Sequence, residues 1–238
     1  MHQPDLARAL SIVRDALEHA ATEADRPLDS LRLVAVTKTV PAERLREAYG
    51  LGVRVVGENR VQEALEKQAQ LSDLALEWHL IGHLQTNKVK QAVGRFSLIH
   101  SVDSLRLLEA IDAQARALGI RQDILLQVNV AREGTKSGFS PEEVPAALEE
   151  ALALRGVAVR GFMAIAPRAA DPEAVRPVFR RLRDLRDACQ ALAGDRADLV
   201  ELSMGMSADF RTAVAEGATL VRIGTGIFGQ RPGNPGAF

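Results

Sequence analysis

The 238-residue sequence contains one cysteine, one tyrosine, one tryptophan and seven phenylalanines. A single thiol excludes an internal disulfide and a cysteine-rich zinc site. Scarce aromatic residues argue against a stacking platform for single-stranded nucleic acid. An excess of either charge is also missing, because 30 Lys and Arg offset 31 Asp and Glu. Neither nucleic acid nor an anionic membrane is therefore expected as the main partner.

Long apolar runs and targeting features are missing as well. No apolar stretch approaches the roughly 18 residues of a membrane span. The sequence does not start with a basic segment followed by an apolar one, as a secretory signal does, and it has no Asn-x-Ser/Thr glycosylation site. We therefore expect a cytoplasmic protein with no membrane partner. A hydrophobic fraction of 47% with a net charge of -1 excludes a disordered chain.

Short β-branched apolar runs alternate with longer stretches rich in Ala, Leu, Arg and Glu at helical spacing. The pattern predicts an opening helix at about residues 6–23, followed by eight strands that each lead into a helix or turn. Asp103 is predicted to cap the helix after the fourth strand. The predicted strands are Leu31–Val36, Val53–Val56, Glu77–Ile81, Phe96–His100, Asp123–Val130, Val157–Ile165, Leu199–Leu202 and Thr219–Ile223.

Strands that alternate with helices predict an α/β fold with a parallel sheet, either open and doubly wound or closed. Eight units in a chain near the roughly 250 residues of a (β/α)8 TIM barrel favour the closed form. No linker rich in Pro, Gly or Ser divides the sequence, so we expect a single domain over residues 1–238. Residues 1–30 would form the additional N-terminal helix and lead-in, and residues 230–238 a loosely held tail.

Lys38 directly follows the first predicted strand. Functional residues of such barrels lie at the carboxyl ends of the strands. Partial desolvation lowers the pKa of a lysine there and leaves an amine that can attack a carbonyl. A salt bridge at the rim is the structural alternative.

A G-x-G-x-x-G sequence, Gly224–Gly229, follows the eighth strand. A dinucleotide-binding unit is excluded, since only nine residues remain and none is acidic. Loops after the seventh and eighth strands of barrels commonly bind phosphate through backbone N–H groups. The hydroxyls of Ser203, Ser207 and Thr225 would add donors. The alternative is that these glycines only permit tight turns.

A carbonyl-reactive lysine and a phosphate site on neighbouring strands point to pyridoxal 5′-phosphate, which carries an aldehyde and a phosphate. Arg222 on the eighth strand is placed to meet the pyridine nitrogen of this cofactor. An arginine there weakens the cofactor as an electron sink. The alternative is a structural arginine paired with Glu201 or Glu58.

Eight segments in order resemble the pyridoxal phosphate homeostasis protein family, whose fold is similar to the N-terminal domain of alanine racemase. They are LVAVTKT, GENRVQEA, WHLIGHLQTNK, IHSVDS, EGTKSGF, GFMAIAP, LSMGMSADF and GATLVRIGTGIFG, and they extend from Leu33 to Gly229. The resemblance implies that Lys38 forms a Schiff base with the cofactor and that Asn59 lies near its ring. It also implies that Arg222 faces the pyridine nitrogen. The phosphate would be bound by Ser207, Gly224 and Thr225.

Three functions remain open at this point. The resemblance implies a protein that holds pyridoxal phosphate for intracellular vitamin B6 homeostasis, without strong catalytic activity, and passes it to apoenzymes that require it. A racemase or a related enzyme that transforms amino acids is the first alternative. A barrel that binds a phosphorylated metabolite, with Lys38 as an aldolase-type amine, is the second.

The length also bears on catalysis. Alanine racemase takes a tyrosine base from a second domain of a partner chain, and the strand count leaves no residues for such a domain. Tyr49, the only tyrosine, falls in the helix after the first strand. We therefore expect a monomer that is not an enzyme.

Four other features are interpreted as structural. His79 and His83 lack a third ligand in reach, so no metal is expected. Met204 and Met206 are expected to pack around the cofactor or the core. Cys189 is expected to be buried, and the arginines between residues 176 and 186 are expected to form a solvated helix face.

Overall fold

The computed structural model describes residues 5–132 and 137–229. In this part of the chain, eight parallel strands form a closed barrel, each followed by an α-helix. The strands are β1 Arg32–Val36, β2 Val55–Glu58, β3 Glu77–Leu80, β4 Leu98–Val102, β5 Gln122–Gln127, β6 Val157–Met163, β7 Glu201–Met206 and β8 Leu220–Ile223. The helices are α1 Leu6–Glu23, α2 Ala42–Gly50, α3 Val61–Gln70, α4 Val89–Ala92, α5 Leu105–Ala117, α6 Val144–Ala153, α7 Arg176–Ala193, α8 Phe210–Ala215 and α9 Thr225–Phe228.

Closure depends on β1, which pairs with strands on both of its sides. Ala35 is in register with Val56 of β2 and with Ile223 of β8. The predicted (β/α)8 barrel is therefore confirmed, and the open doubly wound sheet is wrong. Because all strands are parallel, the segments that follow β8, β1 and β2 meet at one edge of the barrel.

The predicted N-terminal helix is confirmed as α1. The Asp5 carboxylate accepts hydrogen bonds from the backbone N–H groups of Ala7 and Arg8 and so caps the helix. The buried residues Leu6, Leu10, Val13 and Leu17 are three or four positions apart and form one apolar face. This face packs against α8 and α9, so α1 supports the short helix that follows β8.

The interior of the barrel is packed. A small apolar cluster takes one buried residue from each of five strands, which is the arrangement expected inside a barrel rather than between strands and helices. Its members are Val34, Leu98, Leu125, Met163 and Leu220. The barrel is therefore a filled scaffold, and any ligand site lies at its ends.

Several predicted boundaries were wrong, and those near β4 and β7 change which residues the strands contain. β4 continues to Val102, and Ser104 rather than Asp103 caps α5 by accepting a hydrogen bond from the Leu107 N–H. β7 covers Glu201–Met206 rather than Leu199–Leu202. Gly205 has φ +88°, and the pairing of β7 with β8 shifts register here. The bulge keeps this segment paired with β8, although its polar and glycine residues are typical of a loop.

Two predictions lie outside the described residues. They are the loose tail at 230–238 and the first four residues of the EGTKSGF segment, 133–136.

Candidate functional site

The turn that carries Lys38 lies between the ends of β2 and β8. Lys38 is half-buried, two residues beyond the end of β1. On one side, a Cβ placed on Gly224 would lie 3.2 Å from Cβ of Val36, so the loop after β8 contacts the end of β1 directly. On the other side, the Thr37 N–H donates to the Gly57 carbonyl at 3.0 Å. Lys38 is thus placed between the candidate phosphate loop and Asn59.

Lys67, on α3, holds the residue before Lys38. Its ammonium donates to the Thr37 carbonyl and to Oε1 of Glu58, each at 2.7 Å. The Thr37 hydroxyl also donates to Oε1 of Glu58, at 2.6 Å. Burial raises the pKa of Glu58, and the hydrogen bonds from Lys67 and Thr37 offset only part of that rise.

The residue after Lys38 is held by the same ammonium through a second carboxylate. Lys67 donates to Oε1 of Glu63 at 2.7 Å, and that oxygen accepts the Thr39 N–H at 2.5 Å. Burial would raise the pKa of Glu63, but the bonds from Lys67 and Thr39 hold it below its usual value. Thr39 has φ +64°, a backbone conformation that residues other than glycine rarely adopt. Both neighbours of Lys38 are therefore fixed by one cluster, Lys67, Glu58 and Glu63, hereafter the Lys67 cluster.

The residues predicted to bind phosphate meet between β7 and β8. The hydroxyls of Ser207 and Thr225 are 3.2 Å apart, and both residues are exposed. Thr225 is the first residue of α9, with Gly224 as its N-cap. The first N–H groups of a helix have no partner within it. Hydroxyl and backbone donors therefore converge at this point, as anion binding requires.

Arg222 lies inside the barrel, one layer below this loop. It donates to Ser203 Oγ and to the Ala164 carbonyl, the latter at 2.9 Å. Burial lowers the pKa of Arg222 to about 10, against the opposing effect of Asp209. Ser203 is fully buried, so its predicted role as a donor at the rim was wrong. The extension of β7 turns Ser203 into the barrel.

The ion pair considered for Arg222 does not form. Glu201 binds Arg32 instead, at 2.7 Å, and Glu58 binds Lys67. Arg222 is thus held by neutral oxygen atoms.

Asn59 provides a test of whether a bound group fits here. Its Oδ1 is buried and, like Glu58 Oε2 and Ser101 Oγ, has no hydrogen-bond partner in the described part of the chain. An unsatisfied buried polar atom costs about 1–3 kcal/mol, so native proteins rarely keep one without a function. A ligand with a polar group beside Asn59 would satisfy this atom, and an aldehyde-bearing aromatic phosphate suits the amine, amide and hydroxyl groups present.

The sequence reasoning missed the Lys67 cluster and His100. The spacing of Glu63 and Lys67 at i and i+4 on a helix was an available signal for one ion pair. His100, which is fully buried, contacts Ser203 and His79. No sequence signal joins these three residues, because they lie on three different strands.

The remaining predictions have mixed outcomes. Cys189 and Met204 are buried as expected, whereas Met206 is 37% exposed. The arginines of α7 are not simply a solvated face, because three of them converge on the buried carboxylate of Glu216. They are Arg176, Arg180 and Arg183.

The two histidines considered as metal ligands have different partners. His79 contacts Glu77 and His100, whereas His83 contacts Asp103. Over residues 5–132 and 137–229, no group of three or more His, Cys, Asp or Glu side chains is arranged to hold a metal ion. Within the same ranges, no helix is both long and apolar enough to span a membrane.

This barrel, with a lysine after β1 and a donor-rich loop after β8, defines a protein of the alanine racemase N-terminal class. The family model "Alanine racemase, N-terminal domain" matches residues 12–232. The pyridoxal phosphate homeostasis protein of Aquifex aeolicus is 49% identical, over 93% of this chain and 96% of that protein. That of Escherichia coli K12 is 39% identical, over 95% of this chain and 97% of that protein. The chain belongs to the pyridoxal phosphate homeostasis protein family.

Solved structures agree with this assignment. PipY of Synechococcus elongatus, in a structure with pyridoxal phosphate bound, superposes with a TM-score of 0.83 at 42% identity. The match covers 94% of this chain and all of that one. Alanine racemase of Clostridium difficile superposes with a TM-score of 0.68 at 17% identity, over 92% of this chain and 58% of that one. The racemase shares the fold.

Proposed function

We propose that the protein binds pyridoxal 5′-phosphate covalently on Lys38 and serves intracellular vitamin B6 homeostasis. The observation that carries the proposal is the position of the Lys38 turn. This turn is held by the Lys67 cluster on one side. On the other side it lies against the loop after β8, which begins at Gly224 and is called the Gly224 loop. PipY, 42% identical, has a structure with pyridoxal phosphate bound, which supports binding of the same cofactor by this protein.

Each residue has a distinct task in this proposal. Lys38 supplies the amine that retains the aldehyde, and Asn59 presents its buried Oδ1 to the ring. Arg222 contributes a buried cation toward the ring nitrogen. The phosphate is bound by Ser207, Gly224 and Thr225. When bound, the cofactor supplies a reactive carbonyl and an electron-withdrawing ring.

We infer that this site stores the cofactor rather than catalysing amino-acid chemistry at a high rate. A second positioned acid or base ordinarily contributes about 10²–10⁴-fold. Tyr49, the only tyrosine, has its ring 4.1 Å from the Arg54 guanidinium, which lies just before β2. That is the amino-terminal end of the barrel, opposite Lys38. The proposal extends to a cytoplasmic monomer that passes the cofactor to apoenzymes.

The deciding experiment is a visible absorption spectrum of purified protein with added pyridoxal phosphate, before and after borohydride. We expect a visible band that borohydride removes, with the reduced adduct mapped to Lys38. Lys38→Ala should abolish the adduct, and Lys90→Ala, at an exposed lysine of α4, should retain it. A protein that stays colourless, or an adduct on another lysine, contradicts the proposal.

Catalysis is tested separately by loss of the α-deuteron from D- and L-alanine. We expect rates far below roughly 1 s⁻¹, the lower end of ordinary enzyme turnover. Turnover at or above that rate would make the protein an enzyme that acts on amino acids.

A further inference from the structure

A continuous hydrogen-bond chain extends through the barrel interior from Arg222 to the opposite end. Arg222 donates to Ser203 Oγ, which is 2.8 Å from Nδ1 of His100. Nε2 of His100 is 3.0 Å from Nδ1 of His79, and Nε2 of His79 is 2.8 Å from Oε1 of Glu77. These five residues, from strands β8, β7, β4 and β3, are called the interior chain below.

The two ends determine the direction of the first and last hydrogen bonds in the interior chain. A guanidinium can only donate, and an ionised carboxylate can only accept. Since Ser203 Oγ accepts from Arg222, its own proton is available to His100 Nδ1. With one proton on each imidazole, His100 Nε2 donates to Nδ1 of His79, and His79 Nε2 donates to Glu77. In this arrangement each imidazole carries its proton on Nε2, and every donor in the interior chain has an acceptor.

The charges around the interior chain support this arrangement. The hydrogen bond from His79, with the help of Arg32, holds the pKa of Glu77 below its usual value. Burial, together with the positive charges of Arg222 and Arg32, holds the pKa of His100 well below its usual value of 6.5. Arg32 in turn contacts Glu77 at 3.2 Å and Glu201 at 2.7 Å, where strands β1, β3 and β7 begin. The acceptor end is therefore held by charged groups at the amino-terminal end of the barrel.

We propose that Ser203, His100 and His79 are positioning residues that hold Arg222 as a fixed hydrogen-bond donor beneath the cofactor ring. The inference rests on the proposed function in one respect, that the ring lies above Arg222. Ser203 fixes one guanidinium nitrogen and the Ala164 carbonyl fixes the other. Because the Ser203 proton goes to His100 Nδ1, the lone pairs of Ser203 Oγ stay oriented to accept the hydrogen bond from Arg222.

The first test uses the protein without cofactor. ¹⁵N NMR of the imidazoles at pH 8 should show both His79 and His100 as single Nε2–H tautomers. His83 is an internal contrast, since its Nδ1 lies 3.1 Å from the Asp103 carboxylate and should carry the proton. An Nδ1–H tautomer or a tautomer mixture at His79 or His100 overturns the proposal.

The second test breaks the interior chain at Ser203 and then restores it. Ser203→Ala should let His100 exchange between tautomers, shift the visible band of bound cofactor and weaken its binding about tenfold, the effect of one lost hydrogen bond. Ser203→Thr keeps the hydroxyl and should restore the band and the tautomer. An unchanged band in Ser203→Ala contradicts the proposal. If that variant does not fold by circular dichroism, the wild-type tautomers decide.

The two proposals can fail independently. Without a borohydride-trapped adduct on wild-type Lys38, the proposed function is wrong whatever the tautomers are. With the adduct present and the tautomers reversed, only the positioning role is wrong.

Discussion

Lys67 Nζ lies 2.7 Å from the carbonyl oxygen of Thr37, the residue that immediately precedes the candidate cofactor lysine. A buried ammonium on α3 therefore holds the turn after β1. The same ammonium forms ion pairs with two carboxylates, Glu58 and Glu63. Correct placement of Lys38 depends on this contact.

Lys67→Met should destabilise the ligand-free protein by about 3 kcal/mol at pH 7, because it leaves Glu58 buried without its cation. The pKa of Glu58 is already raised by burial and should rise further. The folded state then binds this proton more tightly than the unfolded state, whose carboxyl has a pKa of about 4.3. The contribution of Glu58 to the stability of this variant is therefore fully present below the unfolded pKa and is lost as the pH rises through the folded pKa. Urea unfolding at pH 5 and pH 7 measures the difference.

The control for this prediction is Glu58→Gln in the Lys67→Met background. It removes the uncompensated charge and should recover part of the loss at pH 7. Lys90→Met, at an exposed lysine, should change stability by less than about 0.5 kcal/mol. A loss of stability in Lys67→Met that is equal at pH 5 and pH 7, and that Glu58→Gln does not reduce, would contradict this account of the Lys67 cluster.

Gly82→Ala should damage the site through Asn59. A Cβ on Gly82 would lie 2.3 Å from the Asn59 carbonyl oxygen and 2.6 Å from its Cα, so backbone must move. We expect a loss of about 1–3 kcal/mol and weaker cofactor retention. Gly50→Ala is the matched control, since nothing lies within 4 Å of its added Cβ. It should be neutral or stabilising by up to about 1 kcal/mol. Thermal unfolding and cofactor titration compare the two variants, and equal effects would refute the steric argument.

Asn59→Ala should separate binding from stability. The variant removes a buried oxygen that has no partner in the described residues, so the ligand-free free energy of unfolding should not fall and should rise by up to about 1–3 kcal/mol. Cofactor affinity should fall about tenfold, which corresponds to about 1.4 kcal/mol. Urea unfolding and an absorbance titration measure the two quantities. A large loss of stability with unchanged affinity would assign Asn59 a purely structural role.

Glu216→Gln should destabilise the protein by about 1–3 kcal/mol near neutral pH, because Arg176, Arg180 and Arg183 lose a shared charged acceptor. Burial alone would raise the pKa of Glu216, but hydrogen bonds from Arg180 and Arg176 hold it below its usual value. This stabilisation is present above the unfolded pKa of about 4.3 and is lost as the pH falls through the folded pKa.

Its control is Glu149→Gln, which breaks the exposed pair with Arg196 at 2.7 Å and should cost at most about 1 kcal/mol. Urea unfolding at pH 3.5 and pH 7 should show the Glu216→Gln deficit shrinking at the lower pH. A deficit that grows on acidification would show that the pKa shift has the opposite sign.

The fold and the main ligand groups could be predicted because they depend on local pattern. Short β-branched apolar runs, alternating with stretches of helical spacing, indicated eight strand–helix units, and their number indicated a barrel. The positions of Lys38 and of the Gly224 loop relative to the strands followed directly, since parallel strands bring their carboxyl ends to one edge.

Local sequence pattern was insufficient to predict contacts between strands that are distant in the sequence. The length of β7 depends on a bulge at Gly205 that pairing with β8 stabilises, and this length turns Ser203 inward. The contacts of Ser203 with Arg222 and His100, like those of Lys67 with Thr37 and Glu58, depend on barrel register and helix packing. The amino-acid order thus determines which chemical groups the barrel carries, whereas closure of the barrel determines which of them share a hydrogen bond. The physical reason is that the energies of burial and strand pairing arise from contacts between residues. These contacts join residues 9 to 103 positions apart in the sequence, so local pattern does not reveal them.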